Sequence, residues 1–257
     1  MTRYTDFTTV TEVPGNRIRG EALEELVVRY EYAASLCRDR DVLEVACGAG
    51  LGLGRLGSVA RLVVGGDYSQ ELLSIAHRHY KRRVPLVRLD GAQLPFRDGS
   101  FDVVVLYEAL YYLPSPQRFL AETVRLLRPG GSLVVCSTNV EWTDFNPSPH
   151  SVQYHSAEQL RRSLEHEGFR VEVFAAFPDR QDVLRDRLVS VIRRVAVACR
   201  LVPRTMTGKE WLKRVFYGAL AEVPPEVPPA SSTPALVVIP PDGSARPYKV
   251  IYALAHR

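Results

Sequence analysis

Only four of the 257 residues are cysteine, and Cys37, Cys47, Cys136 and Cys199 form no C-x-x-C pair. That spacing excludes a disulfide framework and a zinc site, and it suits a reducing interior. No apolar run approaches the roughly 18 residues that a bilayer-spanning helix requires. The opening stretch MTRYTDFTTV lacks the apolar centre of a signal peptide. A charge excess is missing too: 33 Lys and Arg face 29 Asp and Glu, a net +4. That is too mild for a surface built to hold nucleic acid. There is no internal repeat. What remains, at 46% hydrophobic and 24% charged residues, is an ordinary soluble composition with enough chain for a sizeable core. The expectation is a cytoplasmic enzyme or binding protein built as one large α/β domain.

The pattern along the chain is an alternation of short apolar runs and amphipathic segments. Residues 1–40 read as a polar arm, punctuated by Pro14 and Gly15, followed by a helix from Glu21 to Leu36 that is expected to serve as a lid over the site. Apolar runs at 41–46, 61–67, 84–90, 101–107, 131–139, 169–177 and 248–257 read as strands. Between them lie helices, one opened by Ser69, one by Ser156, and one ended by Pro129, Gly130 and Gly131. Strands that are apolar throughout belong to a parallel sheet covered on both faces, so the fold class is doubly wound, Rossmann-like α/β with seven strands. Core residues span 41–177. Residues 178–247 read as a cap inserted before the final strand. Within that cap the helix 184–202 has an apolar stripe, and 185–214 carries nine Lys or Arg against two acids. This basic stripe has three readings: a solvated face, a site for an anionic substrate, or a membrane-surface contact for a lipid-linked acceptor.

Ligands of such sheets bind beyond the carboxyl ends of the strands. After the first strand comes VLEVACGAGLGLG, where Gly48 and Gly50 allow a sharp turn into a helix whose N–H groups face the ligand. A nominal G-x-G-x-x-G at Gly52, Gly54 and Gly57 starts too late, inside that helix, to form a phosphate turn. Three acids surround the turn instead: Glu44 in the strand, Asp67 at the second strand's end, 19 residues beyond Gly48, and Asp90 at the third strand's end. Asp67 stands where a carboxylate accepts ribose hydroxyls, although it could merely cap the next helix. Asp90 could accept an adenine amino group while the N–H of Gly91 or Ala92 serves a ring nitrogen, or it could simply form a turn. Three acids repel a pyrophosphate and suit a cationic sulfonium bearing an amino group. The charge pattern favours S-adenosylmethionine over a dinucleotide.

Four segments stand in order: EVACGAG at 44–50, GGDYS at 65–69, DGAQLPF at 90–96 and LLRPGG at 126–131. On these the chain resembles the class I S-adenosylmethionine-dependent methyltransferases, in their type 11-like branch, over about residues 20–177. The resemblance implies that Glu44 reaches the methionine amino group, directly or through water, that Ala46, Gly48 and Gly50 line the methionine portion, and that Asp67 with Tyr68 serves the ribose. It further implies Asp90, Gly91 and Ala92 at the adenine, Tyr107 beside the cofactor, and an antiparallel last strand. Departures from the pattern occur at Ala46, where glycine is common, and at Gly91, where alanine is.

Beyond the fourth strand, YEALYYL at 107–113 is more polar than core packing wants and should face the acceptor. The segment 139–156, with Asn139, His150, Tyr154 and His155, follows the fifth strand and should do the same. Methyl transfer to a hydroxyl gains from a base. Glu108 ranks first because Tyr107, Tyr111 and Tyr112 could shelter it; His150 and then His155 follow. No metal cluster is expected. The function expected is methyl transfer from S-adenosylmethionine, giving S-adenosylhomocysteine, to an oxygen or nitrogen of a small sugar or natural-product molecule. A carbon methyltransferase, a non-catalytic adenosyl-binding protein and an NAD-dependent oxidoreductase are the alternatives. The last would need a Tyr-x-x-x-Lys that the tyrosine cluster lacks. Oligomeric state is left open.

Overall fold

In a computed structural model the described residues are 7–179 and 220–257. The helix expected at 184–202 and the basic stripe at 185–214 lie outside them. Before the sheet come a short strand β1 (Arg17–Arg19) and α1 (Gly20–Leu36). The core then alternates β2 (Asp41–Val45), α2 (Leu53–Gly57), β3 (Leu62–Asp67), α3 (Gln70–Tyr80), β4 (Leu86–Arg88), β5 (Phe101–Tyr107), α4 (Pro116–Leu126) and β6 (Leu127–Thr138). It ends with α5 (Ala157–His166), β7 (Arg170–Pro178), β8 (Leu220–Glu222), β9 (Val237–Val238) and β10 (Tyr248–His256).

The main sheet has eight strands in the order β4-β3-β2-β5-β6-β10-β7-β9, not the seven expected. The extra strand is the short β9, which pairs antiparallel with β7 through Ala175 and Val237 at the edge. Strands β2 to β6 are parallel. The last strand, β10, runs antiparallel to both neighbours. A separate two-stranded sheet joins β1 to β8, with Ile18 opposite Ala221. The N-terminal arm is thereby tied to the far end of the chain, a tether that no motif announces.

Why the strands are apolar throughout is visible in β5. Val104 and Leu106 enter the cluster that holds Phe119, Leu120, Leu160 and Leu164 of α4 and α5. Val103, Val105 and Tyr107 enter the opposite cluster, with Tyr30 and Ala33 of α1 and Ala76 and Tyr80 of α3. Alternate side chains thus face two helical layers. Each fully buried Leu or Val stabilises by about 1.5–3 kcal/mol relative to exposure. Ser69 caps α3, accepting from the Leu72 N–H at 3.3 Å, and Ser156 with Gln159 closes a capping box on α5.

Two local expectations need correction. Pro129 to Gly131 do not end the helix: α4 stops at Leu126, and strand pairing already begins at Leu127 opposite Phe101. The Pro-Gly-Gly segment is an irregularity within β6, after which the register shifts to Val103 opposite Ser132. Also, Gly52 to Gly57 do not lie deep in a long helix. The helix α2 spans only Leu53–Gly57, with Gly52 at its N-cap. These glycines serve close packing: a Cβ at Gly52 would lie 1.7 Å from the Tyr30 ring, and one at Gly54 would lie 1.9 Å from Glu226.

Candidate functional site

Strand order reverses between β2 and β5, because the chain first runs outward through β3 and β4 and then returns. Beyond the carboxyl ends of these strands lies a cavity of about 820 Å³, near the upper end of the usual range for ligand sites. Its walls include Ala46, Gly48, Asp67, Tyr68, Asp90, Gly91, Tyr107, Glu108 and His150. Nine of the thirteen expected site residues are therefore brought together. Glu44, Gly50, Ala92 and His155 are not on its wall.

The glycine turn follows β2. Both Gly48 (φ 57°) and Gly50 (φ 81°) take left-handed backbone, and so does Ala46 (φ 57°). For alanine that conformation costs roughly 1–2 kcal/mol, which glycine would avoid. Asp67 fastens the turn: its Oδ2 accepts from the Gly48 N–H at 2.7 Å, and its Oδ1 accepts from the Ser69 N–H at 2.8 Å. Each oxygen retains acceptor capacity for a hydroxyl. Burial raises the Asp67 carboxyl, and the N–H groups of Ser69 and Gly48 oppose that shift. Tyr68 is half-exposed at the rim, with the Arg88 guanidinium 5.9 Å from its ring centroid.

At the third strand's end the Ala92 N–H is already committed, donating to Asp90 Oδ1 at 2.9 Å. Ala92 is therefore a turn residue of Asp90 and lies off the cavity wall, whereas Gly91 is on it. A Cβ at Gly91 would meet Leu113 at 3.3 Å, so alanine there would fit only tightly. Glu44 lies off the cavity wall. It is buried on the α1 side of the sheet, where the Tyr30 hydroxyl donates to its Oε1 at 2.6 Å. Its Oε2 has no hydrogen-bond partner. Burial pushes the Glu44 carboxyl up to about 8; the Tyr30 hydrogen bond opposes this and the Asp67 charge adds to it. Gly50 sits behind the turn, where its carbonyl accepts from the Tyr80 hydroxyl at 2.7 Å.

At the other end of the cavity Glu108 (φ 50°) is not sheltered as the sequence suggests but crowded with donors. Its Oε2 accepts from the Tyr111 hydroxyl at 3.0 Å, the Thr138 hydroxyl at 2.9 Å and the Thr138 N–H at 3.1 Å. Its Oε1 lies 3.2 Å from the Arg29 guanidinium. Burial works against the Arg29 charge, yet Glu108 and Glu25 hold its pKa above the ordinary value. Tyr107 donates to the Arg29 carbonyl at 3.3 Å. The hydroxyls of Tyr112 and Ser148 are 2.5 Å apart. His150 lines the cavity near Phe7, with ring centroids 6.4 Å apart. His155 directly precedes the N-cap of α5 and is turned into the interior, where burial lowers its pKa. Asn139 is structural: its side-chain amide donates to the carbonyls of Ala245 and Tyr248.

Sequence reading missed Arg29 and Tyr30 as wall residues, and Phe7, Thr11 and Glu12 of the arm. Nothing local marks them. Among the described residues no His, Cys, Asp or Glu group is placed to hold a metal, and no helix is long and apolar enough to cross a membrane.

An adenosyl sulfonium fits these residues. Its charge-complementary wall is Asp67 and Asp90, its cradle is the backbone of the Gly48 turn, and Leu72, Leu89 and Leu113 offer apolar faces. The one Arg on the wall is committed to Glu108 and Glu25, which leaves no described cation to meet a pyrophosphate.

Known proteins agree with that chemistry. The methyltransferase domain family matches residues 43–135. A Mycolicibacterium smegmatis protein named "Probable S-adenosylmethionine-dependent methyltransferase" is 36% identical over 151 residues, 56% of this chain and 58% of that protein. Phthiotriol/phenolphthiotriol dimycocerosates methyltransferase 1 of Mycobacterium ulcerans is 33% identical over 185 residues, 68% of this chain and 66% of that one. The chain thus spans little more than half the length of the first of these curated relatives. Among solved structures, the cyclase SpnF superposes with a TM-score of 0.59 at 20% identity, covering 96% of this chain and 84% of that one. That likeness concerns the fold alone.

Proposed function

From the premise that the chain belongs to the class I S-adenosylmethionine-dependent methyltransferases, we propose that it methylates a hydroxyl of an uncharged, largely apolar small molecule. The observation that carries this reading is the continuity of one cavity. The same cavity is lined by Gly48, Asp67 and Asp90 and by Tyr111, Tyr112, Ser148 and His150.

S-adenosylmethionine, when bound, supplies a methyl group already activated by its sulfonium charge. The chain's task is then alignment in a dry pocket, with reacting atoms about 3–3.5 Å apart. Asp67 and Asp90 hold the nucleoside end, and the Gly48 turn holds the amino-acid end. Phe7, Val10, Ile18, Leu26 and Val152 add apolar surface to the same wall. Among the described residues, five wall carboxylates against a single Arg, itself paired with Glu25 and Glu108, disfavour an anionic acceptor. The name of the Mycobacterium ulcerans relative specifies a triol, and a hydroxyl acceptor in this chain follows that pattern.

A hydroxyl must shed its proton as the new bond forms. Glu108 is poorly placed to take it, since its two oxygens are filled by Arg29, Tyr111 and Thr138. We assign it to positioning: it fixes the Tyr111 hydroxyl and the Arg29 guanidinium on the acceptor side. His150, on the wall and free of such commitments, takes the base role. The N-terminal arm and α1 also line this cavity.

The experiment is transfer of radiolabelled methyl from S-adenosylmethionine to a panel of apolar alcohols, phenols, amines and carboxylates, paired with calorimetric titration of S-adenosylhomocysteine and NAD. Alcohol or phenol products, adenosyl binding and no NAD binding are expected. Asp67→Ala should weaken adenosyl binding by at least about tenfold, roughly 1.4 kcal/mol. NAD binding without adenosyl binding refutes the cofactor reading, and products confined to carboxylates refute the acceptor reading.

A further inference from the structure

The amino-acid end of an adenosyl donor carries an ammonium group, and a buried or half-buried ammonium needs an ionised partner. Glu44, the acid that the glycine motif supplies, is badly placed for this. Its carboxylate is off the cavity wall, bonded to Tyr30, and burial favours its neutral form. To meet an ammonium it would have to lose a proton in an apolar setting. A different acid reaches the same place from the other side.

The N-terminal arm lies directly on the glycine turn: a Cβ at Gly48 would meet Thr11 Cγ2 at 3.0 Å. The next residue, Glu12, lines the cavity together with Gly48, Ala49 and Cys47. Glu12 is exposed and has no partner among the described residues. The arm is also held in place. Gly15 N–H donates to the Val223 carbonyl at 3.0 Å, Val223 N–H donates to the Asn16 carbonyl at 2.8 Å, and β1 pairs with β8 just beyond. An exposed carboxylate on a tethered segment gives up little solvation when it turns to a cation.

We propose that Glu12 receives the ammonium of the cofactor's amino-acid end, so that the arm over Gly48 is a wall of the cofactor site rather than of the acceptor site alone. This inference rests on the reading of the chain as an S-adenosylmethionine enzyme. It assigns to an arm outside the sequence motifs the contact that the motif acid was expected to make.

The test compares two neutral-overall ligands by calorimetry: S-adenosylhomocysteine, which has the amino-acid end, and 5′-methylthioadenosine, which lacks it. Because the first is a zwitterion, long-range attraction to Glu12 contributes little to any difference. Glu12→Gln should weaken S-adenosylhomocysteine by about tenfold or more and leave 5′-methylthioadenosine unchanged. Glu44→Gln should leave the ratio of the two affinities unchanged. Equal affinities for S-adenosylhomocysteine in the parent chain and Glu12→Gln overturn the inference, as does an equal loss on both ligands. A selective loss in Glu44→Gln instead returns the contact to the motif acid and also overturns it. If the parent chain binds neither ligand, the proposed function falls together with the inference, an outcome distinct from the others.

Discussion

Glu44→Gln offers a measurement that depends on burial alone. The carboxyl is almost wholly inside, with a folded pKa pushed from 4.5 up to about 8 by desolvation and by Asp67. An acid whose folded pKa is raised stabilises fully below its unfolded pKa, and that contribution is lost as pH rises through the folded pKa. Between those limits the folded chain holds one proton that the unfolded chain has released. Each pH unit in the window therefore costs about 1.4 kcal/mol of stability through this group. Glutamine has nearly the same shape, can accept from Tyr30, and does not titrate. Urea melts of both proteins at about pH 5.5 and about pH 7.5 give a double difference in which other groups, Asp67 included, largely cancel. The parent should lose roughly 2–3 kcal/mol relative to Glu44→Gln between the two pH values. The variant should then be the more stable protein at the higher pH. Parallel stability curves, within about 0.5 kcal/mol of each other, would mean that Glu44 is ionised inside the fold. The account of a motif acid hidden behind Tyr30 would then be wrong.

Ala46→Gly should raise stability by about 1 kcal/mol in the same melts, because the strand end at φ 57° suits glycine; a loss of stability would show that the alanine methyl is worth more in packing than its backbone costs. His150→Gln should lower turnover about 10²–10⁴-fold at saturating acceptor and leave S-adenosylhomocysteine affinity unchanged, and near-normal turnover removes it as the base. Glu108→Gln should instead destabilise the fold by about 1–3 kcal/mol, since it leaves Arg29 without its nearest counter-charge. Unaltered stability in that variant would contradict the pairing.

What could be read from the sequence follows the range over which the contacts act. The glycine turn, Asp67 and Asp90 are each set by residues within one strand-turn-helix unit, and all three reach the cavity. Strand alternation even contained the fate of Glu44. Val42 lies in the cluster under α1, whereas Leu43 and Val45 face the opposite layer. Glu44 shares parity with Val42 and so points toward α1. The missing piece was which side chain of α1 would meet it, because register between a helix and a distant strand has no local signal. Thr11, Glu12 and Arg29 were hidden for the same reason. The arm finds its place by pairing with β8, whose Ala221 stands opposite Ile18 although the two are 203 positions apart in sequence.

The two strand ends that frame the crevice share one device. Ala46 follows β2, Glu108 follows β5, and both are non-glycine residues with positive φ, 57° and 50°. Such backbone persists only where its surroundings over-determine it. Around Ala46 the constraint is the sheet itself: the Cys47 N–H donates to the Gly66 carbonyl at 3.0 Å, carrying the ladder one step past the strand before the turn begins. Around Glu108 it is the N–H bond to the Cys136 carbonyl at 2.8 Å, together with the three donors on Oε2. In both cases the strain turns the chain out of the sheet at the point where the strand order reverses. At β2 that turn aims backbone into the cavity, and at β5 it folds a carboxylate back onto Thr138 so that Tyr111 and Arg29 are held on the cavity wall. A left-handed residue at each lip is how two parallel neighbours, which would otherwise run on side by side, open the crevice between them.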